Sequence, residues 1–516
     1  MTVRAPKAGE AMALVRQLPV PRDPLSLHAA LSDGGTRSDT FLLERTEGPS
    51  LLLAGAAVRA TCRGREVRLD ALGDGGRNAL AFLARRLEAR VAEAAADSLL
   101  LRFPAPEGDD PAARLAAPSP FDVLRALTGF RSLSGEEPFA LACPGIVAYD
   151  HVDLFETLPA AAEDPLAFPD FLFWLAESLI LFEPGARPRI VCTLFGSDEE
   201  DRAQRAYYGA AQRLAALVAR CEAAPVYDPP ILPAREPDFG EADLDDAAYA
   251  GVVAGMKAHI LAGEVYQIVP SRTFRAPCPD PLATYAALRR LDPSPYRFFA
   301  AGPDHRLFGA SPETSVRLFR DGGAPSVEVK PIAGTRPRGA TADEDDRLEA
   351  EMRLDRKEAA EHMMLVDLAR NDVARISRPG TRRVAALMRV ERYARVMHLV
   401  SSVVGRLRPG CDAPIALQAC LNVGTLTGAP KLRATEILRR TEVTKRGPYG
   451  GAIGWLNGEG MMDMGVVIRS AVVKDGTAYV RAGAGVVHDS DPAAEAEETR
   501  RKASAILSVL APGAAA

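Results

Sequence analysis

Two pairs of glutamates in the second half of the 516-residue chain have the spacing that a helix places on one face. They are Glu358 with Glu361, and Glu495 with Glu498. Side chains three residues apart on a helix are neighbours. Oxygen-only carboxylates from two helices suit Mg²⁺, which completes its octahedron with water and substrate oxygens. The alternative is a solvated helix face, which the arginines and lysine beside each pair favour, and spacing alone leaves both interpretations open.

Three glycine-rich segments offer main-chain N–H groups to an anion. They are Gly424–Lys431, Gly450-Gly451 and Gly483-Ala484-Gly485. The first superficially resembles a phosphate loop, but Ala429-Pro430 separates its second glycine from the lysine, so the motif is incomplete. Each segment is interpreted either as a tight turn that needs positive φ or as a group of amides that binds a carboxylate.

Two polar side chains stand in apolar surroundings. Arg469 lies within Val466–Ser470, where we predict a strand, and His398 lies within Val396–Val400. The arginine either extends outward to water or binds an anionic ligand. The histidine is either a core residue with its hydrogen bonds satisfied or a proton-transfer group.

Composition excludes several classes of protein. The chain is 47% hydrophobic and 25% charged, with a net charge of −5 and interspersed signs, so no basic stripe indicates nucleic acid or a membrane surface. We expect no signal peptide at the N-terminus, and the apolar run Phe171–Phe182 is too short to span a bilayer. Seven scattered cysteines without a C-x-x-C motif indicate a cytoplasmic protein without disulfides or a zinc site.

The pattern of elements predicts an α+β fold with large, mainly antiparallel sheets and helices packed outside. A proline-rich segment, Ala224–Pro237, suits a linker, and we predict an N-terminal region at 1–235 and a C-terminal region at 236–512. The main predicted elements are helices over Ala79–Ala95, Arg202–Arg220, Leu244–Leu261, Asp345–Ala369, Pro414–Leu421, Ala429–Arg439 and Pro492–Leu510, and strands over Tyr296–Ala300, Thr314–Phe319, Gly451–Leu456 and Met464–Val473.

Several long blocks of the second half resemble the chorismate-utilising enzymes, and specifically anthranilate synthase component I of bacterial type. The blocks occur in the family's order and are Gly263–Arg272, Phe308–Glu313, Pro331–Gly339, Glu361–Asp372, Val396–Ser401, Gly424–Lys431, Tyr449–Gly451 and Ala482–Val487. The first half is similar to the family over shorter stretches, Leu42–Glu44 and Leu101–Pro104.

This resemblance implies a fold, a reaction and a set of site residues. It implies Mg²⁺ held by Glu361 and Glu498, with Glu358 and Glu495 in support. It implies that Glu313 protonates the departing 4-hydroxyl as a general acid. The residues that it implies near the substrate are His398 and Thr425 beside the enolpyruvyl group and ring, and Gly334, Thr335, Tyr449, Arg469, Gly483, Ala484 and Gly485 around the carboxylates.

Two positions separate this chain from sister enzymes within the resemblance. Gln267 stands where water-adding isochorismate synthases carry a lysine base, so ammonia is the implied nucleophile. Ala333 stands where common aminodeoxychorismate synthases carry a nucleophilic lysine, so ammonia adds directly at C2. Since no cysteine lies in a Gly-x-Cys-x-Gly elbow, a separate glutamine amidotransferase subunit is the implied ammonia source and the assembly a hetero-oligomer.

Two rival functions remain at this point, a synthase that stops at the aminated intermediate and a chorismate-binding regulator without activity. The family also implies a pocket for L-tryptophan as feedback inhibitor, here at Glu44, Arg45, Pro295, Tyr296 and Arg297. Arg45 and Arg297 replace a family serine and methionine. We therefore expect a pocket that binds tryptophan more weakly than is usual in the family.

Overall fold

The computed structural model describes residues 5–19, 22–108, 110–135, 137–160, 163–229, 236–393 and 396–510, apart from the side chains of Pro111, Thr335 and Lys357. Part of the expected linker, and the boundary at 235, lie outside these ranges. Both halves of the sequence contribute strands to the described part of the chain. The strands of the first half are β1 (Glu10–Gln17), β2 (Thr40–Arg45), β3 (Ser50–Arg63), β4 (Glu66–Ala71), β5 (Val91–Ala94), β6 (Ser98–Arg102), β7 (Arg131–Ser132), β8 (Cys143–Val147), β9 (Phe171–Phe182) and β10 (Arg189–Phe195).

The second half supplies the remaining strands of the described chain. They are β11 (Glu241–Ala242), β12 (Gln267–Ile268), β13 (Ser271–Pro277), β14 (Tyr296–Ala301), β15 (Arg306–Ser311), β16 (Thr314–Asp321), β17 (Ala324–Val329), β18 (Ile332–Pro337), β19 (Arg383–Arg392), β20 (Val396–Arg406), β21 (Gly428–Ala429), β22 (Ala452–Leu456), β23 (Met462–Val466), β24 (Ser470–Lys474) and β25 (Thr477–Gly483). Except for the parallel pair β1–β7, the pairings between these strands are antiparallel.

The helices cover the sheets from outside, as the predicted α+β class requires, so that prediction is confirmed. They are α1 (Pro24–Leu31), α2 (Asp74–Arg86), α3 (Pro111–Ala116), α4 (Asp122–Leu127), α5 (Glu200–Ala223), α6 (Asp246–Leu261), α7 (Pro281–Leu291), α8 (Ala342–Leu354), α9 (Arg356–Ala374), α10 (Ala413–Cys420), α11 (Lys431–Thr441) and α12 (Pro492–Leu507). Among the described residues, no helix combines the length and apolarity needed to cross a bilayer.

Strands from the two halves of the sequence pair directly. β14 lies between β15 and β2, with Phe298 opposite Leu43. β22 lies between β23 and β8, with Gly454 opposite Gly145. The buried strand β9 has the bounds of the predicted core run, and its residues pack against both halves. The N-terminal strands therefore complete the sheets that carry the C-terminal motifs.

Three local predictions were wrong, each for a physical reason. The helix predicted over Ala79–Ala95 ends at Arg86, and β5 follows, because pairing with β6 overrides the helix propensity of its alanines. The helix predicted over Asp345–Ala369 is two helices, because Asp355 ends α8 and its carboxylate accepts the Glu358 N–H at 3.1 Å.

The third wrong prediction concerns the strand over Met464–Val473. The structure divides it into β23 and β24, and Arg469 lies in the connection with φ of +46°. The main-chain carbonyl of Arg469 accepts a hydrogen bond from the Ala310 N–H at 3.0 Å. A left-handed non-glycine residue costs roughly 1 kcal/mol or more, so surrounding contacts fix this turn at the arginine.

Candidate active site

Helix α12 turns its glutamate pair toward the protein. Asp491 caps the helix by accepting the Ala494 N–H at 2.9 Å, and Pro492 occupies the first turn. With that start, Glu495 is buried and Glu498 is half-buried, whereas Glu497 between them is exposed. Removal of Glu495 from solvent, and partial removal of Glu498, favours a binding role over a fully solvated helix face.

Helix α9 carries the other pair, Glu358 and Glu361. His362, the residue after Glu361, ties this helix to β20. The His362 Nε2 atom lies 2.6 Å from the Ser401 hydroxyl. Glu358 Oε1 accepts a hydrogen bond from Arg336 at 2.5 Å, while its buried Oε2 accepts none from the described residues. A Cβ on Gly334, which has φ of +68°, would lie 2.7 Å from that oxygen. The positive φ favours glycine at this position of β18, and the Glu358 carboxylate lies directly against its backbone.

Glu313 lies in the connection between β15 and β16 and is buried. Its main-chain carbonyl accepts the Val466 N–H at 2.9 Å, and its carboxylate accepts a hydrogen bond from the Thr425 hydroxyl at 2.8 Å. Burial raises the pKa of Glu313 to about 7, although Thr425 and Lys502 act in the opposite direction. The carboxyl can therefore hold a proton near neutral pH and donate it.

Sequence reasoning missed Lys502, which links several site residues. Its ammonium donates to the Gly483 carbonyl at 2.9 Å and pairs with Glu498 at 2.7 Å. It also acts electrostatically on Glu313. The available signal was its position four residues after Glu498, on the same helix face.

His398 lies buried on β20, opposite β18. Its Nδ1 is 3.1 Å from the Gly334 carbonyl, which places the N–H on Nδ1 and leaves Nε2 as the acceptor nitrogen. Burial, with a smaller contribution from Arg469, lowers the pKa of His398 to about 4. The imidazole is therefore neutral at pH 7, with an unprotonated Nε2, and burial makes it a weaker base than an exposed imidazole.

Arg469 and His398 line one cavity of about 360 Å³. Arg469 is partly exposed, and one of its guanidinium nitrogens lies 3.8 Å from Asp292. Arg501 and Ser504 of α12 line the same cavity. A guanidinium at the wall of a cavity is accessible to an anionic ligand.

Tyr449 and the Gly483–Gly485 segment lie against each other. A Cβ on Gly483 would lie 3.1 Å from the Tyr449 hydroxyl and 2.7 Å from the Pro270 carbonyl, so only glycine fits. The Ala484 N–H already donates to the Tyr249 hydroxyl at 3.2 Å. A Cβ on Gly485 would lie 2.8 Å from Gln267 Nε2, so the Gln267 amide faces this segment.

The predicted residues thus fall into two connected groups. One comprises Gln267, Glu313, Thr425, Tyr449, Gly483, Ala484, Gly485 and Glu498; the other comprises Gly334, Glu358, His398 and Arg469. Thr335 lies opposite His398 in the β18–β20 ladder, but its side chain is outside the described part. Within the described ranges, no group of three or more His, Cys, Asp or Glu side chains is arranged to hold a metal by itself.

The residues expected to form a tryptophan pocket are divided between two faces of the sheet. Arg45 and Tyr296 are register partners on one face, and Glu44 and Arg297 are partners on the other. Glu44 is buried and accepts hydrogen bonds from Tyr285 at 2.6 Å and from Arg289. Alternation of side chains along a strand produces this division.

The face that carries Arg45 opens into a cavity of about 410 Å³, which Pro295 and Asp463 also line. The Arg45 guanidinium carbon lies 3.4 Å from the centre of the Tyr296 ring, and one of its nitrogens lies 3.1 Å from Asp463. Its nitrogen Nε is buried and makes no hydrogen bond to the described residues. Arg45 therefore occupies part of this cavity itself.

Comparison with known proteins identifies the family of the chain. Residues 93–508 match the family model described as chorismate binding enzyme. Anthranilate synthase component 1 of Vibrio cholerae is 44% identical, over 96% of this chain and 95% of the relative. The Escherichia coli protein of the same name is also 44% identical, over 92% and 93%. The crystal structure of anthranilate synthase component I from Streptococcus pneumoniae superposes with a TM-score of 0.71 at 29% identity, covering 90% of this chain and 93% of that one.

Proposed function

Because the chain belongs to the family of chorismate-binding enzymes, we propose that it is the aminating subunit of an anthranilate synthase. It converts chorismate and ammonia to anthranilate and pyruvate. Ammonia adds at C2, the 4-hydroxyl leaves, and elimination of pyruvate gives the aromatic product.

The protonation of the buried Glu313 carboxyl is the observation that supports this proposal most strongly. Expulsion of the 4-hydroxyl needs a proton donor, and an ordinary glutamate is ionised at neutral pH. Burial raises the pKa of Glu313 to about 7. The Thr425 hydroxyl orients the Glu313 carboxyl by donating a hydrogen bond of 2.8 Å to it. A regulator that only bound chorismate would have no need for such a carboxyl.

Gln267 and Ala333 support ammonia as the nucleophile. The Gln267 side chain is buried, and its Oε1 accepts no hydrogen bond from the described part of the chain. An amide oxygen can accept an N–H from ammonia but cannot deprotonate water. Ala333 has no amine to form a covalent intermediate. Both side chains favour direct addition of ammonia over water addition or a lysine-linked route.

His398 supports completion of the reaction rather than release of the aminated intermediate. Elimination of pyruvate requires removal of the proton at C2, and His398 is a neutral, buried imidazole with its N–H directed to Gly334. We assign His398 as the base of this step. Arg469, Tyr449 and the amides of Gly483 and Gly485 would bind the substrate carboxylates, whereas the Ala484 N–H, which donates to the Tyr249 hydroxyl, would hold the segment in place.

The acidic residues of α9 and α12 fit Mg²⁺. Glu361 and Glu498 would hold the ion, which supplies positive charge to the ring carboxylate of chorismate. The fit rests on the oxygen-only donor set and on the buried Glu358 Oε2, which accepts no hydrogen bond among the described residues. Glu358 and Glu495 support the two ligands from the same helix faces.

Ammonia would come from a separate glutamine amidotransferase subunit, giving a hetero-oligomer. Six of the seven cysteines are buried, and Cys411 is partly exposed in the sequence Gly-Cys-Asp, which is not a nucleophile elbow. Burial raises the pKa of Cys143, Cys221 and Cys278, among others. Thiols in this state are poor nucleophiles for glutamine hydrolysis.

We also propose the cavity beside Arg45 as a regulatory site with low affinity for L-tryptophan. Pro295 and Asp463 line it, and Arg45 occupies the Tyr296 ring face that an indole could otherwise contact. The second replacement, Arg297, lies on the opposite face with Glu44 and does not enter the cavity. Arg45 alone is therefore responsible for the weakened binding.

The product identifies the reaction. Chromatography of a mixture of the chain, chorismate, ammonium and Mg²⁺ is expected to show 2-aminobenzoate and pyruvate in equal amounts. A matched reaction without ammonium should yield neither. A dominant 4-amino product, isochorismate, or an accumulating non-aromatic amine would each contradict the assignment.

A further inference from the structure

Three ionised side chains are buried together behind the loop that joins α11 to β22 and carries Tyr449. Glu442 at the end of α11, Arg446 after it and Arg481 on β25 are each less than a tenth exposed. Glu442 pairs with Arg446 at 2.7 Å and with Arg481 at 3.1 Å. We call these three residues the buried network.

The buried network holds segments that carry the candidate site. Arg446 donates to the Leu426 carbonyl at 2.6 Å, next to Thr425, and to the Val269 carbonyl at 2.7 Å. Glu442 accepts the Ser271 N–H at 2.9 Å. The Pro270–Ser271 segment is the surface on which Gly483 packs without room for a Cβ.

Arg481 connects the network to the chain that leads into Tyr449. It donates to the Ser271 hydroxyl at 2.8 Å, to the Thr444 hydroxyl at 3.0 Å and to the Lys445 carbonyl at 2.7 Å. It lies two residues before Gly483 on the same strand. Strand β25 and the loop before Tyr449 are therefore fixed relative to each other by one guanidinium.

The buried network also has an unequal charge. One carboxylate faces two guanidinium groups, so the three side chains carry a net positive charge. Burial acts to raise the pKa of Glu442, but Arg446 and Arg481 outweigh it and hold the pKa below its usual value, so the carboxylate is ionised. Burial raises the pKa of Tyr449 to about 12, while both arginines act to lower it, so their field reaches its phenol.

We propose that Glu442, Arg446 and Arg481 are positioning residues that place Tyr449 and the Gly483–Gly485 segment, and supply positive potential, for a carboxylate of chorismate. The inference rests on the proposed function. Charge in a buried site is weakly screened by salt, so a net positive network behind the loop attracts an anion without touching it. Arg469 attracts the substrate anion from the wall of the cavity, and the buried network attracts it from the protein interior.

Kinetics of the whole chain test this role with Arg481→Met and Arg481→Lys. The methionine variant removes the charge and the hydrogen bonds, and the lysine variant keeps the charge. We expect Arg481→Met to raise the KM for chorismate about tenfold, the scale of one charge-assisted interaction, with the KM for ammonium unchanged within a factor of about two. Arg481→Lys should recover part of the loss.

Arg59→Met is the matched control. Arg59 is also a largely buried arginine held by two carboxylates, Asp39 at 3.0 Å and Asp70 at 2.9 Å. It contacts none of the residues assigned to the site. This variant should lower the melting temperature and leave the KM for chorismate unchanged.

Two results overturn the inference. One is a folded Arg481→Met with an unchanged KM for chorismate, and the other is an equal rise in both KM values, which indicates a structural role only. If Arg481→Met does not fold, Arg481→Gln, which also removes the charge but keeps an N–H donor, takes its place, and an unchanged KM for chorismate in that folded variant is decisive against the inference. Failure of the unaltered chain to form anthranilate contradicts the proposed function instead, and calorimetry with chorismate then tests the buried network by the same comparison of affinities.

Discussion

At the scale of single residues, the proposed chemistry rests on Glu313 and His398, whose pKa values burial shifts in opposite directions. Burial raises the pKa of the first to about 7 and lowers that of the second to about 4. One side chain can therefore give a proton and the other accept one at the same neutral pH. Such opposed shifts are how one site performs acid and base steps together.

The pH dependence of turnover should report Glu313. The protonated form is active as the acid, so activity is expected to decline as pH rises through about 7. Thr425→Val removes a hydrogen bond that acts to lower the pKa of Glu313, so the decline should move to higher pH. Thr427→Val in the same loop is the control, because its hydroxyl bonds to the Val423 carbonyl instead. A decline that stays in place in Thr425→Val would contradict the assignment.

Arg45 gives a second prediction at this scale. Arg45→Ser removes the guanidinium from the Tyr296 ring and from Asp463, so L-tryptophan should bind about tenfold more tightly, roughly 1.4 kcal/mol. Arg297→Met changes the opposite face and should have no such effect. Calorimetry on both variants decides this, and equal or unimproved affinity would show that Arg45 does not weaken the cavity.

Most candidate residues could be predicted because family motifs identify them. The spacing of Lys502 from Glu498 could predict that ion pair, but not the contacts of Lys502 with Gly483 and Glu313, which only the fold brings together. The separation of Glu44 from Arg45 was available from strand alternation, but only once both were known to lie on β2.

At the scale of elements, α9 and α12 each present a carboxylate that we assign to Mg²⁺. Glu361→Gln or Glu498→Gln should reduce activity roughly a hundredfold at limiting Mg²⁺, because each removes an anionic ligand. Asp367→Asn on α9 and Glu497→Gln on α12 are matched controls on exposed faces and should titrate with Mg²⁺ normally. If Glu361→Gln and Glu498→Gln both keep a near-normal Mg²⁺ dependence, these glutamates are not the Mg²⁺ ligands.

Sequence patterns predicted the elements that interactions between near neighbours in the sequence determine. They failed for the elements that depend on contacts with distant parts of the chain. The mostly apolar β14 and the apolar run of β9 are readable in the sequence. The break at Asp355 was also readable, since a capping residue precedes Glu358 by three positions. In contrast, β5 depends on pairing with β6, and the turn at Arg469 depends on a contact with Ala310.

At the scale of the whole molecule, the two halves of the sequence share their sheets. β14 needs β2 and β22 needs β8, so we expect the segment 236–510 expressed alone to fail to reach a native fold. Near-ultraviolet circular dichroism and gel filtration check this. A monodisperse, cooperatively unfolding segment would show that the C-terminal region is independent. The β14–β2 and β22–β8 pairings join residues about 250 and about 310 positions apart and have no local sequence signal.

The proposed function requires that this chain aminates chorismate by itself when ammonia is supplied. The most direct measurement is anthranilate fluorescence in a mixture of the purified chain, chorismate, ammonium and Mg²⁺. We predict a steady increase that requires all three additions, with glutamine in place of ammonium giving no signal until a glutaminase subunit is added. No fluorescence with ammonium, under conditions in which the chain is folded and binds chorismate, would contradict the account.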